Sequence, residues 1–410
     1  MDYENLTKLF YKLDEVQFEK EYAKRINSYG SMHTLLQIQS FRKGRLDKEQ
    51  FELFYVMTPE LINLSNKVLL NSGTIQSLIG KLPQFAAEPY FRRLIINDAQ
   101  SNNEIEGVRS TKQELSGVLK RLDEPDPKKK RFTGMMKTYL HIEDIGPFHS
   151  LDDFRKLYDE LVADEIAGQH APDGRLFRKE GVEVTDGARV THIGLQTEDQ
   201  IEKALYQLIQ FLQDSTHPEL FRYLIAHYVY EYIHPFYDGN GRTGRLLVGS
   251  YLAKYLERYS AVTFSYTINK DKIKYYKALE QVPSPMNRGE LTFYLKDMLE
   301  LLIAGQENVI EDLIINEVKL SRIHDFLFSD KWQSNPDKRS ILLHLLVLTV
   351  FNAIEDIQVT QLMEVSDLSR YKVNQIMDML VEEGIAELHQ LRPKSYRVNS
   401  EFLHETLKIE

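Results

Sequence analysis

Apolar residues recur at helical spacing over most of this chain. In residues 1–60 apolar and charged residues alternate with mostly helical spacing, and one apolar stripe is formed by Tyr3, Leu6, Leu9, Phe10 and Leu13. Thr58 and Pro59 are typical of a helix start, as N-cap and first-turn residue. The first 60 residues are therefore predicted to be mostly helical, with a further helix beginning near Pro59.

The central part of the chain shows the same periodicity. Pro83 and Pro89 are predicted to punctuate a helical hairpin. Helices are predicted over Tyr90–Asn103, Asp152–Val162, Glu198–Leu212, Leu220–Ile233 and Arg242–Tyr255, and a long one closes this region near Phe328. Glu124–Arg131 is charged and contains prolines, which favours a solvated surface loop.

One segment departs from the helical pattern. Within residues 176–193, three valines flank Thr185-Asp-Gly-Ala, which predicts a two-stranded hairpin. An isolated hairpin is marginally stable unless it packs on something else. The fold is therefore expected to be mainly α, with this small β-hairpin packed on the helices.

The pattern changes after Lys331–Pro336. Three helices are predicted over Ser340–Ile354, Val359–Glu364 and Ser369–Glu383, followed by short strands over Ile385–Leu388 and Ser395–Val398. This order predicts a C-terminal winged-helix domain over residues 337–410. DNA is a possible partner, but a structural or protein-docking role is favoured. The presumed recognition helix carries Arg370 and Lys372 but also three acidic residues, and DNA affinity depends on phosphate contacts.

The amino-acid composition and net charge argue against several classes of function. The 410 residues carry a net charge of −10, which argues against broad binding to nucleic acid or anionic membrane. The absence of cysteine excludes disulfides, thiolate zinc sites and cysteine nucleophiles. The N-terminus lacks the pattern of a secretory signal, and the longest apolar run, Ile341–Ile354, falls short of the ~20 residues that a membrane span needs. A soluble protein of the cytoplasm is expected.

The chemistry is concentrated in residues 234–245, which read His-Pro-Phe-Tyr-Asp-Gly-Asn-Gly-Arg-Thr-Gly-Arg. Gly239 and Gly241 allow positive φ and a close approach of backbone to ligand. N–H groups in such a turn, at the start of a helix, form a site for anions. Arg242 and Arg245 lie three residues apart, so both can hold one polyphosphate. The segment therefore predicts a phosphate site with a base, His234, beside it.

Three familiar phosphate loops do not fit this segment. Gly239, Gly241 and Gly244 satisfy the dinucleotide fingerprint, but they follow a helix where that motif needs a strand. A Walker A loop would have Gly-Lys before Ser or Thr, whereas Arg245 follows Gly244. The partner motifs of a protein kinase are absent from the sequence.

The segment resembles the signature of the Fic family, His-Pro-Phe-x-Asp/Glu-Gly-Asn-Gly-Arg-x-x-Arg, at all nine fixed positions. The resemblance implies a Fic-like helical bundle as catalytic domain over residues 111–330, preceded by an N-terminal helical region over 1–110. It implies a protein adenylyltransferase that moves AMP from ATP to a hydroxyl side chain of a protein, with self-modification as one form.

The resemblance also assigns roles to the matched residues. His234 would be the general base and Asp238 the Mg²⁺ ligand. Asn240 and the loop amides would stabilise the transition state at the α-phosphate. Arg242 and Arg245 would orient the β- and γ-phosphates, while Gly239, Gly241 and Gly244 allow their close approach. Tyr276, in a Tyr-Tyr-Lys-Ala-Leu stretch, would line the adenine pocket, although core packing is the commoner role of such residues.

Two further features belong to this resemblance. Asn102–Gly107 is similar to the inhibitory motif Ser/Thr-x-x-x-Glu-Gly/Asn, with Asn102 where Ser or Thr is usual. Glu106 would then pair with Arg245 and misalign bound ATP. The hairpin near 181–190 corresponds to the flap on which a protein substrate would dock by strand addition. Two alternatives stay open: removal of AMP from a modified protein, and a nucleotide-sensing regulator that binds DNA through the winged helix.

Overall fold

The computed structural model describes residues 3–122, 131–162, 165–166, 168–329, 332, 334–352 and 356–409. The predicted loop Glu124–Arg131 lies outside these residues except for Arg131, as do parts of the predicted boundary at Lys331–Pro336. Helices dominate this part of the chain, as the sequence predicts. They are α1 Leu6–Lys12, α2 Glu15–Ile26, α3 Pro59–Ile79, α4 Gln84–Ile105, α5 Lys112–Leu122, α6 Thr133–Leu140, α7 Leu151–Leu161, α8 Glu198–Gln213, α9 Glu219–Ile233, α10 Asn240–Tyr255, α11 Arg258–Ala261, α12 Phe264–Lys270, α13 Lys272–Gln281, α14 Thr292–Leu327, α15 Pro336–Phe351, α16 Val359–Ser366 and α17 Arg370–Glu382.

The strands form three small antiparallel sheets. They are β1 Ser31–Arg42 with β2 Arg45–Val56, β3 Glu183–Thr185 with β4 Val190–Ile193, and β5 Ile357–Gln358, β6 Ala386–Leu391 and β7 Lys394–Val398 in the order β5-β7-β6. The pair β3–β4 is the hairpin predicted within residues 176–193.

The long hairpin β1–β2 corrects the expectation that residues 1–60 are mostly helical. Side chains alternate in burial along β1, where Leu36, Ile38 and Ser40 face the core. Lys43 and Gly44 both have positive φ, at 51° and 78°, as a two-residue hairpin turn requires. The period-two signal is masked because an exposed Leu35 lies at a register shift in β1.

Helix α4 corrects a second expectation. It runs from Gln84 to Ile105 with Pro89 inside it, so Pro89 does not end a helix. Because proline lacks an N–H, one helical hydrogen bond is lost near the N-terminal end while the rest of the helix continues. Glu106 is the C-cap of this helix, and Gly107 follows it at φ 71°, a left-handed conformation that glycine adopts readily at a helix end.

The middle of the molecule is built around α9 and α10, which pack against each other. Every residue of α10 from Asn240 to Ala253 is buried, and so are most residues of α9. Helix α14 packs along α3, and α4 lies against α12. The loop between α9 and α10 is thus held by two helices enclosed in the core.

The hydrophobic core falls into two clusters. The larger one contains residues from both of the first two predicted regions, from Leu36 to Leu313, so these regions share one core. The smaller one extends from Ile323 to Ile409 and includes α15–α17 and β5–β7. Helix α15 also touches α4: the rings of Phe85 and His344 lie 4.5 Å apart, and Arg93 donates to the carbonyl oxygen of Val350.

Candidate active site

The loop from His234 to Gly239 joins α9 to α10 through two left-handed residues. His234 has φ 54° and Gly239 has φ 82°. A Cβ on Gly239 would lie 2.8 Å from Cγ2 of Val162, so both conformation and space require glycine there. Phe236 anchors the loop in the core, with its ring stacked on Tyr158 at a centroid distance of 3.7 Å. The loop is therefore rigidly attached to the helices on either side.

The side chain of Asn240 stabilises the shape of the loop through two hydrogen bonds to the backbone of Phe236. Its Oδ1 accepts a hydrogen bond from the N–H of Phe236 at 2.9 Å, and its Nδ2 donates to the carbonyl oxygen of the same residue at 2.7 Å. An amide Nδ2 carries two hydrogens, so one remains for a ligand. Asn240 thus stabilises the loop as well as standing at the start of α10.

His234 is held as a neutral imidazole. Burial is the main cause that lowers its pKa to about 3, and nearby His192 and Arg178 act in the same direction. The guanidinium Nε of Arg178 donates to the backbone carbonyl of His234 at 2.8 Å. His192 lies with its ring centroid 6.2 Å from that of His234 and bonds the carbonyl of Tyr232 at 2.8 Å. A neutral imidazole has a free lone pair, but a pKa this low makes His234 a weak base in the state described here.

Arg245 is paired with Glu106. Nη2 of Arg245 lies 2.7 Å from Oε1 of Glu106, and the arginine side chain is 1% exposed against 28% for the glutamate. Asn102 completes the contact, since its Oδ1 accepts from Nε of Arg245 at 2.7 Å and its backbone oxygen accepts from Nη2 at 3.3 Å. The asparagine that replaces Ser or Thr in the motif is therefore a hydrogen-bonding partner of the arginine.

Arg242 has a carboxylate partner of its own. Its Nη1 lies 3.0 Å from Oε2 of Glu165, and both side chains are almost completely buried. Burial raises the pKa of Glu165, while the charge of Arg242 lowers it. Nε of Arg242 has no hydrogen-bond partner among the described residues. Sequence reasoning missed Glu165 because nothing in its own segment resembles a motif.

Two glycines of α10 make room for carboxylates. A Cβ on Gly241 would lie 2.2 Å from Oε1 of Glu106, and a Cβ on Gly244 would lie 2.3 Å from Oε1 of Glu231. Such distances do not occur between real atoms, so any side chain would displace the acid. The glycines that the sequence assigns to phosphate approach are, in this structure, covered by Glu106 and Glu231.

Asp238 is exposed at the mouth of the loop, and one of its oxygens accepts from the N–H of Gly239. No group of three or more His, Asp or Glu residues suited to a metal occurs within the described ranges. One carboxylate still fits Mg²⁺ that arrives with a nucleotide, because Mg²⁺ keeps several waters and binds through one or two carboxylates plus substrate phosphates.

Tyr276 lies at the side of the site, on α13, and is 40% exposed. Burial is the main cause that raises its pKa to about 12, with Glu106 as the next contribution. Its neighbour Tyr275 points inward, and its hydroxyl lies 2.9 Å from Nε2 of His227. The structure therefore brings Tyr276 close to Glu106 and Arg245, while its contact with a nucleobase remains a prediction.

The hairpin β3–β4 lies directly before α8 and beside the loop. Gly194, at its end, is close to the Cβ of His234, and its N–H donates to the carbonyl of Val182 at 3.0 Å. At the tip, Arg189 forms an exposed ion pair with Glu280 of α13 at 2.9 Å. A groove of about 380 Å³ separates this hairpin from β1, and Gln39, Gln196 and Tyr232 are among its lining residues.

The fold thus holds a loop with a neutral histidine at its start and two buried arginines after it between the helices α9 and α10. Residues 148–252 match the family model described as the Fic/DOC family. They include the loop, the hairpin and the helices α7 to α10 that position them. This part of the chain is therefore a Fic/DOC family domain.

A solved structure shares this fold, and others show a weaker similarity. A Fic family protein from Desulfovibrio desulfuricans G20 matches with a TM-score of 0.50 and 20% identity, over 84% of this chain and 98% of that chain. A Fic domain containing signaling protein from Bacteroides thetaiotaomicron VPI-5482 matches with a TM-score of 0.41 and 17% identity, over 62% of this chain and 95% of that one. Fic-1 from C. elegans, residues 134–508, matches with a TM-score of 0.43 and 19% identity, over 62% of this chain and 73% of its own.

No helix in the described part of the chain is long and apolar enough to cross a membrane.

Proposed function

We propose that this protein transfers AMP from ATP to a hydroxyl side chain of a protein, and that Glu106 holds it inactive in the state described here. The observation that carries the proposal is the ion pair between Glu106 and Arg245. It occupies the arginine of a loop that matches the family signature at every fixed position. A carboxylate on that arginine takes the place of a phosphate oxygen, so the same site is suited to a nucleotide once Glu106 leaves.

The proposed reaction uses His234 as general base. The attacking hydroxyl gives its proton to the imidazole as its oxygen bonds to the α-phosphorus of ATP, and the bond from that phosphorus to the bridging oxygen breaks. Pyrophosphate leaves with the bonding electrons. The lowered pKa of His234 makes its imidazole a weak base in the state described here, and the negative charge of bound ATP would raise this pKa and strengthen the base.

The phosphates would be held by the start of α10. Backbone N–H groups in the first turn of α10, with the second hydrogen of the Asn240 amide, would face the anion at the positive end of the helix dipole. Arg242 and Arg245 would bind the β- and γ-phosphates. Mg²⁺, when bound, would be held by Asp238 and neutralise charge on the phosphates.

The ion pair between Glu165 and Arg242 would also have to change when a nucleotide binds. Arg242 is paired with Glu165 just as Arg245 is paired with Glu106. If Arg242 binds a phosphate, its pair with Glu165 has to open or to share the guanidinium, which has five N–H donors. The orphaned Nε of Arg242 is one donor that a phosphate oxygen would satisfy.

The protein substrate would dock on the flap at 181–190. The hairpin β3–β4 pairs with no further strand among the described residues, which leaves an edge for strand addition. The groove of about 380 Å³ begins at its last residue, Ile193, and is lined by amide side chains such as Gln39 and Gln196 together with apolar ones. Self-modification would use the same surface.

The experiment is intact-mass measurement of the full chain after incubation with ATP and Mg²⁺. Wild type, Glu106→Gly, and Glu106→Gly combined with His234→Ala are compared. We expect a gain of one AMP mass in the Glu106→Gly protein only, because this change frees Arg245 and keeps the base. Wild-type protein added afterwards tests whether Glu106 supports removal of AMP.

Two results would contradict the proposal. If the Glu106→Gly protein does not bind ATP in calorimetry, the phosphate assignment is wrong. If it binds ATP but modifies neither itself nor proteins of a lysate when labelled ATP is supplied, transfer of AMP is wrong. The DNA-binding alternative is disfavoured by ion pairs that engage its basic residues, such as Lys372 with Asp337 and Lys394 with Asp378.

A further inference from the structure

Glu231 is a buried acid that the proposed reaction does not use. It lies in the last turn of α9, three residues before His234, and its side chain is 14% exposed. Its Oε1 lies over Gly244, at the position where a Cβ would sit 2.3 Å away, and has no hydrogen-bond partner among the described residues. Burying a carboxylate oxygen without a hydrogen-bond partner costs free energy, so this oxygen is expected either to carry a proton or to bind a ligand.

Within the described residues, the surroundings of Glu231 contain one cation, and that cation is already paired. The titratable groups near it are Arg245 on α10, Glu106 at the end of α4, His227 and Tyr230 on α9, Tyr275 and Tyr276 on α13, and Tyr294 on α14. Arg245 is bonded to Glu106. Nδ1 of His227 lies 3.9 Å from Oε1 of Glu231 and, in this part of the chain, is also without a hydrogen-bond partner. Burial lowers the pKa of His227 to about 3, so this ring supplies no positive charge at neutral pH.

We propose that Glu231 is a positioning residue for the nucleotide phosphates and that it acts there as a neutral, protonated acid. The proposal rests on the proposed function, since it concerns the same phosphate site. When a triphosphate replaces Glu106 at Arg245, the negative charge beside Glu231 increases. An ionised Glu231 would repel the phosphates, whereas a protonated one has an O–H that donates a hydrogen bond to them.

The charges around Glu231 agree with a proton on this residue. Burial raises its pKa to about 8, Glu106 acts in the same direction and Arg245 opposes both. The group is therefore neutral below about pH 8 and ionises above it. Removal of Glu106 leaves Arg245 unpaired, which lowers the pKa of Glu231, and bound triphosphate raises it again. Nucleotide binding to a Glu106→Gly protein is thus expected to take up a proton.

The first test measures this proton directly. Binding of a non-hydrolysable ATP analogue with Mg²⁺ to the full-length Glu106→Gly protein is followed calorimetrically at pH 8, in buffers with different enthalpies of ionisation. We expect an uptake of up to one proton per nucleotide from the buffer. Binding with the same enthalpy in all buffers would overturn the proposal.

The second test compares pH profiles between pH 6.5 and 9.5. In the Glu106→Gly protein, affinity for the analogue is expected to fall by up to about tenfold per pH unit once Glu231 ionises. In Glu106→Gly combined with Glu231→Gln, which keeps a neutral donor of the same size, the profile is expected to be flat. Combination with Glu231→Asp, which keeps the acid, serves as the matched control and retains the decline.

The outcomes separate this inference from the proposed function. Parallel pH profiles with and without the Glu231→Gln substitution would overturn the role of Glu231 and leave AMP transfer standing. Absence of analogue binding at every pH would overturn both. The calorimetric proton uptake needs no substitution at position 231, so it decides the matter even if the Glu231→Gln variant does not fold.

Discussion

At the scale of single residues, the glycines of α10 determine which groups reach the phosphate site. Gly241 admits the carboxylate of Glu106 and Gly244 admits that of Glu231. A glycine in a helix interior costs about 1 kcal/mol relative to alanine. Here that cost leaves the space in which either an acid or a phosphate can approach Arg245.

Gly244→Ala is expected to destabilise the protein although it raises helix propensity. The new Cβ would meet Oε1 of Glu231 at 2.3 Å and Cδ1 of Tyr230 at 2.8 Å, and overpacking of this kind typically costs about 1–3 kcal/mol. Chemical denaturation measures the change. Gly73→Ala in α3 is the matched control, because a Cβ there meets nothing within 4 Å and the substitution should stabilise by about 1 kcal/mol. Equal effects of the two would contradict the crowding argument.

Three histidines with lowered pKa make the protein sensitive to acid; His227 is fully buried, and His192 and His234 are partly exposed. The pKa is lowered to about 4 for His192 and to about 3 for His227 and His234, with burial as the main cause in each case. In the unfolded chain these groups bind protons near pH 6.5, so the unfolded state gains protons first as the pH falls. The free energy of unfolding should therefore be highest above pH 6.5 and decrease below it, by up to about 1.4 kcal/mol per group and pH unit.

Urea denaturation at pH 7.5, 6.5 and 5.5 measures this decrease. His227→Gln is expected to be less stable at pH 7.5 but to lose less stability between pH 6.5 and 5.5, because one proton-binding group is gone. A free energy of unfolding that stays constant down to pH 5.5 would show that the imidazoles are not enclosed as described.

At the scale of elements, the N-terminal region is tied to α14 by a buried ion pair. Nη1 of Arg25 lies 3.0 Å from Oε2 of Glu290, with the two side chains 4% and 1% exposed. The hydroxyl of Tyr3 donates to Oε1 of the same glutamate at 2.6 Å. Glu290 thus connects α2 and the start of the chain to the residues immediately before α14.

Glu290→Leu is expected to cost up to about 3–5 kcal/mol, because it removes the buried carboxylate at Nη1 of Arg25 and leaves that charge paired with Glu21 alone, 3.0 Å from Nε. Adding Arg25→Met should recover much of this loss, since an apolar pair of similar volume avoids the desolvation of two charges. A double-mutant cycle by chemical denaturation measures both effects. Additive losses would mean that the pair does not couple the two elements.

How far the sequence predicts these elements depends on how local their signals are. The loop His234–Arg245 and the partnership of Glu106 with Arg245 follow from short motifs, and the helices α8, α9 and α10 from strong periodicity. The hairpin β1–β2 was missed because Leu35 interrupts its alternation and β2 begins with exposed polar residues. The prediction that Pro89 interrupts a helix was wrong, because one lost hydrogen bond does not end a helix that is packed along its length.

Other parts of the site depend on contacts that no sequence pattern encodes. Glu165 and Arg242 are 77 residues apart, and Arg178 bonds the carbonyl of His234 across 56 residues. The sequence indicates no more for Glu231 than a place in an amphipathic helix. Its position three residues before His234 nevertheless puts it on the helix face nearest the loop.

At the scale of the whole molecule, the C-terminal unit, which comprises α15–α17 and β5–β7, packs on α4, the helix that ends at Glu106. The helices α15, α16 and α17 are followed by β6 and β7, and the winged-helix domain stays a prediction. Its contact with α4 includes the rings of Tyr90 and Phe351, 5.9 Å apart, and the bond from Arg93 to Val350. A change at this contact would reach Glu106 through a single continuous helix.

Phe351→Ala is expected to loosen α4 and to raise self-modification by the protein that still carries Glu106. Truncation of a buried phenylalanine costs about 3–5 kcal/mol and leaves a cavity beside α4. Hydrogen exchange of residues 84–105 and intact mass with ATP measure the two effects. Phe402→Ala is the control, because Phe402 is an aromatic residue of the same C-terminal region that packs on Phe326 of α14. Equal effects of both variants would contradict a specific link through α4.

The burial of Arg245 in its ion pair with Glu106 also affects which signals could release the proposed inhibition. Mobile ions weaken attractions between charges at a solvated surface, but they act far less on a pair whose arginine is 1% exposed. Changes in the ionic strength of the surroundings are therefore a weak trigger for this contact. If Glu106 inhibits as proposed, its release from Arg245 would therefore follow from movement of the end of α4 and not from a change in salt concentration.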